Sequence, residues 1–143
     1  MIPELRVQFL NALEPSTNKH LYSKAWDEFI ELQVMDKQTW IRNLHDALES
    51  VPRWEIGMWL GDTAVGGIVL SNDNDVHVGP CLSVIAQYVL PEYRFRSISL
   101  HCMRIAMRTA RQCNIPILAY THRKGDWRYE IIYRRTNVKE TKS

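Results

Sequence analysis

Several things are missing from this chain of 143 residues, and each absence closes a class of function. No apolar run reaches the ~18 residues that suggest a membrane-crossing helix. The opening MIPELRVQFL has neither a basic start nor a small-residue cleavage site, so the chain reads as a soluble, unexported, cytoplasmic protein. Cysteine is scarce and odd in number: Cys81, Cys102 and Cys113 form no CxxC pair and sit among apolar neighbours, which reads as reduced core thiols. There is no glycine-lysine phosphate loop and no GxSxG nucleophile elbow. The polar run Ser71-Asn72-Asp73-Asn74-Asp75 lacks the glycine and closing Glu of a calcium loop. His20 and His45 have no carboxylate or cysteine partner at ligand spacing, so no metal site is expected.

What is present fits one globular domain over residues 1–143, with 136–143 read as a polar tail. The net charge is only +2, but it is unevenly placed. Residues 1–90 carry six Lys or Arg against twelve Asp or Glu, whereas residues 91–143 carry twelve against four. A basic second half suits an anionic partner, either a nucleotide-like coenzyme or nucleic acid, although a solvated basic face has the same composition.

Periodicity lays out the elements. Glu4 to Asn11 alternates as a short strand bounded by prolines. Ser16 and Thr17 offer caps for a helix carrying Leu21, Ala25, Phe29 and Leu32, and Asp36 with Thr39 opens a second that stops before Pro52. Trp54 to Leu60 and Ala64 to Leu70 flank Gly61-Asp62-Thr63 as a hairpin, with Gly66-Gly67 marking a bulge or a close neighbour. Ser71 to Asp75 reads as a loop. Cys81 to Leu90 is a nearly continuous apolar strand, expected to be covered on both faces. The helix after it carries two apolar stripes, one of Ile98, Cys102 and Ile105 and one of Leu100, Met103 and Met107, which suggests packing against the sheet and a further element such as a partner subunit. Ile115 to Thr121 is the next buried strand, parallel to the previous one if the helix is a crossover. A five-residue loop then leads to Trp127 to Arg135, whose alternating Trp127, Tyr129, Ile131 and Tyr133 read as an aromatic face packed on a helix.

The chain is organised around Cys81 to Gln112. An apolar strand runs into Pro91-Glu92-Tyr93, then into Arg94-Phe95-Arg96-Ser97-Ile98-Ser99, and then into a helix. The first turn of a helix leaves backbone N–H groups without partners and carries the positive end of the peptide dipoles, so a phosphate is a natural ligand there. VLPEYRFRSIS resembles the acyl-CoA-binding segment of the GCN5-related N-acetyltransferases, whose loop pattern Arg/Gln-x-x-Gly-x-Gly/Ala falls here on Arg94-x-x-Ser97-x-Ser99. Both glycines are serine, which places a Cβ where the family has none.

The resemblance implies an α/β (α+β) fold: a mixed twisted sheet of about six strands with two N-terminal helices and one central crossover helix. It further implies acetyl-CoA as co-substrate. The pyrophosphate would lie on the N–H groups of Arg96 to Ser99 with Arg94 and Arg96 as counter-charges, in a pocket of Val89, Leu90, Arg94, Phe95, Arg96, Ser97, Ile98 and Ser99. The pantetheine arm would lie between two splayed strands, and an N–H of Val89 or Leu90 would polarise the thioester carbonyl. The family's further helix between the last strands, often ending in an acidic-role tyrosine, has no counterpart here. Residues that could serve transfer to an amine or protein acceptor are Tyr88 on the central strand, and Tyr120 and His122 at the end of the next, where open α/β sheets build sites. No carboxylate stands on the central strand, and Glu92 reads as a turn residue.

Two other readings use the same residues. One is an acetyltransferase-like scaffold without activity, an assembly, virion or host-interaction protein, phage-like in its shortness and lost glycines. The other is a nucleic-acid binder using Arg104, Arg108, Arg111, Arg134 and Arg135 on phosphates. A homodimer is compatible with each; a membrane partner is not expected.

Overall fold

The computed structural model describes residues 3–138, with the Arg96 side chain outside the description. Six strands form one sheet in the order β1-β2-β3-β4-β5-β6: Glu4–Leu10, Arg53–Leu60, Thr63–Asp75, Gly79–Val89, Ile117–Gly125 and Arg128–Arg135. All neighbours are antiparallel except β4 and β5. Their connection is the helix α3, Arg96–Gln112, so the crossover expected from the sequence is present.

Alternation along the strands assigns the two faces. Ile56, Met58, Ile68, Leu70, Leu82 and Leu118 pack against Ile98, Cys102, Ile105 and Ala106 of α3. Val69 points the other way, to Tyr22 of α1 (His20–Glu28) and Leu48 of α2 (Lys37–Glu49). In β4 that alternation breaks on purpose. The register with β3 passes from Ala86↔Val69 to Val84↔Leu70, leaving Ile85 as an extra residue. Val84 therefore packs with the α3 core while Ala86, two residues on, joins the α2 cluster.

α2 begins as the sequence predicts: Asp36 accepts from the Thr39 amide at 3.1 Å and from its hydroxyl at 2.6 Å. α1 does not. It starts at His20 and has no side-chain cap, because Ser16 and Thr17 turn to buried carboxylates instead. Glu49 accepts from the Ser16 amide, and Glu55 accepts from the hydroxyls of Ser16 and Thr17 and from the Thr17 amide. α1 also ends at Glu28, and a short 3-10 turn carries Leu32. α3 closes at Cys113 with Asn114 at φ 57 and the Ile115 amide bonded back to Ala110 O, a Schellman-type stop.

Other expectations need correction. Ser71–Asp75 is strand: β3 runs on to Asp75, and the turn falls after it, where Asp75 Oδ1 accepts from the amides of His77 and Val78. The five-residue loop before β6 shrinks to a tight turn with Trp127 at φ 63, because β5 continues to Gly125. No described helix covers β6, so Trp127, Tyr129 and Ile131 are exposed, and only Tyr133 of that face is tied down, donating to Asp75 Oδ2. Leu100 is likewise exposed, whereas Met103 and Met107 of the same stripe pack against the core. Thr136 is fully buried rather than part of a tail: it bonds to Ile115 O and Pro116 O and receives Arg111 at its carbonyl. Residues 139–143 lie outside the description. Cys113 is exposed, unlike Cys81 and Cys102. Among the described residues, no helix is long and apolar enough to cross a membrane.

Gly66 and Gly67 have the close neighbours the sequence suggests. A Cβ at Gly67 would meet the Asn18 side chain at 2.4 Å, and one at Gly66 would meet Met58 Sδ at 2.9 Å and β4 backbone at 3.1 Å.

Candidate functional site

β4 and β5 pair only at Leu82↔Leu118 and Ser83↔Ala119, then part company. Beyond Ser83, alternate backbone groups of β4 face an open gap instead of a neighbouring strand. This explains why the central strand is fully buried only at Cys81 and Leu82, with Ile85 and Gln87 exposed, rather than covered on both faces.

A cavity of about 610 Å³ fills the gap and crosses the sheet. On one side it reaches Ile98, Ser99, Cys102 and Met103 of α3; on the other it reaches Phe29 past the end of α1. Tyr88, Tyr120 and His122, the three residues singled out for chemistry, all line it. So do Val89, Arg94, Ile98 and Ser99 of the expected coenzyme pocket. Cys102 at its wall has its thiol pushed up to about 11 by burial, which leaves it an inert surface at neutral pH.

The first turn of α3 opens onto this space. Its N-cap is Phe95, half exposed, and no side chain caps the amides. The serines do not serve as caps, since both lie inside the helix and are exposed. Ser99 N–H donates to Phe95 O at 3.2 Å, so the free amides are those of Arg96, Ser97 and Ile98, one fewer than the run Arg96 to Ser99. The Ile98 side chain is buried in the core, leaving its amide as its only polar offering. The expected contribution of the Arg96 side chain lies outside the described residues.

Which strand amides face the gap follows from one bond. Leu90 N–H donates to Val65 O at 2.9 Å, and alternation then turns the groups of Tyr88 toward β3 and those of Gln87 and Val89 toward the gap. Val89 O, on that side, accepts from Arg94 Nε at 2.8 Å. Of the two amides considered for a thioester carbonyl, Leu90's is therefore occupied and Val89's faces the cavity.

Arg94 does not point at the helix start. Its terminal nitrogens grip both carboxylate oxygens of Glu28, at 2.6 Å each, and its guanidinium carbon lies 5.5 Å from the Tyr88 ring centre. The guanidinium beside Glu28 holds that carboxyl below its usual range. Tyr88 is pushed up to about 12, first by burial and then by the nearby Glu28 carboxylate. Across the opening, Arg123 lies 4.7 Å above the Phe29 ring and is paired with Asp126. Sequence reasoning missed Glu28 altogether. Its partner is 66 residues away, and nothing in the periodicity of α1 marks its last residue.

Tyr120 faces the α3 side, its hydroxyl accepting from Arg134 Nε at 2.9 Å, while His122 is exposed at the rim. Two of the five arginines weighed for nucleic acid are thus engaged internally, Arg134 here and Arg111 on Thr136. His45 does have a carboxylate partner: Glu49, one helical turn on, at 2.5 Å. Among the described residues no group of three His, Cys, Asp or Glu could hold a metal.

Solved structures share this fold. A ribosomal-protein-alanine N-acetyltransferase from Brucella melitensis biovar Abortus 2308 superposes with a TM-score of 0.56 at 15% identity, over 85% of this chain and 82% of that one. A GCN5-related N-acetyltransferase from Ralstonia eutropha JMP134 gives 0.52 at 14%, over 85% of each chain. The chain has the GCN5-related N-acetyltransferase fold. A predicted acetyltransferase from Clostridium acetobutylicum, solved with acetyl-CoA, shares the acetyltransferase fold at 0.57 and 11%, over 85% of this chain and 82% of that one. By sequence, no family model and no curated protein matches. The phage-like impression has no support in these comparisons.

Proposed function

We propose that the chain is an acetyl-CoA-dependent N-acetyltransferase that passes the acetyl group directly to an amine. The observation that carries the reading is the cavity through the β4–β5 gap, which ends at the uncapped first turn of α3. From that turn to the last β4–β5 pair at Ser83 is six residues of strand, about 20 Å at the usual rise. A diphosphate with a long thin arm suits such a channel. The amides of Arg96, Ser97 and Ile98 take the diphosphate, and those of Gln87 and Val89 bond the arm, with Val89 N–H the candidate to polarise the thioester carbonyl. Ser97 and Ser99 are both exposed, and Ser99 also lines the cavity, so both are open to a ligand at this turn.

The amine nitrogen attacks the thioester carbon; a C–N bond forms, the C–S bond breaks, and the leaving thiolate takes a proton. Tyr120 and His122 stand on the wall opposite β4, where such a proton is needed. Tyr88, on the α1 side, remains protonated at neutral pH and faces the incoming amine.

A second reading, a scaffold that kept the fold and lost the chemistry, draws on the β5–β6 turn, where the expected extra helix is absent. Calorimetry with acetyl-CoA and desulfo-CoA, followed by a thiol-release scan of amines, separates the two. Micromolar binding with thiol release supports the enzyme; binding without release for any amine, or no binding of either ligand, leaves the scaffold reading in front.

A further inference from the structure

The central strand offers no carboxylate to receive an amine, yet the structure brings one to the same place from α1. Glu28 is held by the guanidinium whose Nε is bonded to Val89 O, so its carboxylate lies one guanidinium's width from the strand position whose amide faces the gap. Tyr88 is beneath the guanidinium, and Phe29, the residue after Glu28, lines the cavity. Arg94 itself belongs to the short segment that leads into the free amides of α3, two residues before Arg96. Among the described residues it touches Glu28 while tethered beside the diphosphate seat.

We infer that Arg94 changes partners, and that this exchange prepares the acceptor side. Resting on the acetyltransferase reading, the inference is that a diphosphate on the α3 amides draws Arg94 away from Glu28. The released carboxylate, still beside Tyr88, then receives a protonated primary amine. A carboxylate that has lost its guanidinium is left without a counter-charge, and an ammonium is the ligand that restores the charge-assisted hydrogen bonds. Once bound, the ammonium gives one proton to Glu28; the nitrogen then attacks the thioester carbon, and a second proton from the nitrogen accompanies departure of the thiolate. The products are an amide and a thiol, with Glu28 returning its proton to water. Without coenzyme, Arg94 occupies the acceptor's place, so the amine binds poorly until the coenzyme is in. The acceptor class is therefore a cationic primary amine, and the carboxylate and diphosphate sites are coupled through one side chain.

The opposed signs of two effects test this. Desulfo-CoA is titrated calorimetrically into the wild type, Glu28→Gln and Arg94→Ala. Removing the competing carboxylate should tighten desulfo-CoA about fivefold or more, while Arg94→Ala should weaken it by a comparable factor. Acetyl transfer to butylamine and to an Nα-blocked lysine peptide should fall about 100-fold or more in kcat/KM for Glu28→Gln. Transfer to hydroxylamine, already uncharged at neutral pH, should change little. If wild type fails to bind desulfo-CoA, the acetyltransferase reading itself falls. Should wild type bind while Glu28→Gln binds equally or more weakly, the exchange is overturned and the coenzyme site stands. Equal loss toward hydroxylamine and butylamine would reduce Glu28 to a purely structural part. Glu28→Asp, which keeps the charge but shortens the reach, covers the case in which the glutamine variant folds poorly: it should also tighten desulfo-CoA, and unchanged affinity counts against the exchange.

Discussion

Two of the Arg–Glu pairs among the described residues work in opposite ways. Arg53 and Glu55, two residues apart on β2, are 0% and 1% exposed, with Nε to Oε2 at 2.8 Å. Every remaining polar atom of that pair has further partners: Glu14 O and Val51 O for the guanidinium, Ser16 and Thr17 for the carboxylate. Arg94 and Glu28 are 41% and 25% exposed, and join elements far apart in sequence. The first pair cannot let go, because either ion left alone would be stranded out of water. The second can, since water and ligands reach both partners. Burial, not bond length, separates a structural ion pair from one available for exchange.

The largest effect should come from breaking the first pair. Glu55→Ala leaves Arg53 buried without its carboxylate and removes the anchor of Ser16 and Thr17, so denaturant unfolding should show a loss of about 3–5 kcal/mol. A loss below about 1 kcal/mol would mean that the comparison is drawn between two ordinary surface pairs.

A smaller effect probes the strand between them. Gly66→Ala would set a Cβ against Met58 Sδ at 2.9 Å, and against Tyr88 O and Val89 Cα at 3.1 Å. The sulfur can swing aside but the backbone cannot, so the change should cost about 1–3 kcal/mol and shift β4 where Arg94 is fastened. Denaturant midpoints give the first number. Weaker desulfo-CoA binding by the variant, out of proportion to its stability, would report the second. Thr136→Val, which strands Ile115 O without its 2.6 Å partner, should cost about 1–2 kcal/mol.

The sequence was readable wherever one periodicity or one turn signal decided the matter. The strand–loop–helix run at Cys81 to Gln112, the Asp36 cap and the crossover all rest on such local chemistry. It failed where pairing between distant segments took over. Ser71–Asp75 looks like a loop in isolation, yet pairing with Gly79–Ser83 keeps it extended. The exposed stripe Trp127, Tyr129 and Ile131 has the pattern of a buried face, and only the missing cover shows otherwise. Tyr88 and Tyr120 line the cavity from strands the periodicity marks, and His122 joins them because β5 runs on past Thr121. The Glu28 partner of Arg94 is not legible in the sequence, since that contact depends on how α1 lies over the sheet.

The smallest effect completes the contrast between the pairs. Glu28→Gln should change stability at neutral pH by less than about 1 kcal/mol, as exposed pairs do. The sign of its pH dependence is fixed. Glu28 is held below its usual range in the fold, first by its bond to Arg94, with Tyr88 and Arg123 adding to the effect and its own burial opposing it. Its contribution is therefore present above the ordinary carboxylate pKa and disappears as pH falls through the lowered folded value. Wild type and Glu28→Gln should accordingly converge in thermal midpoint on acidification below the usual glutamate range. The Glu55 variant should stay apart from wild type over any pH at which both fold, because the burial of Arg53 persists there. Convergence of both variants, or of neither, would erase the distinction between a pair that is locked in the core and one that is held at the surface for release.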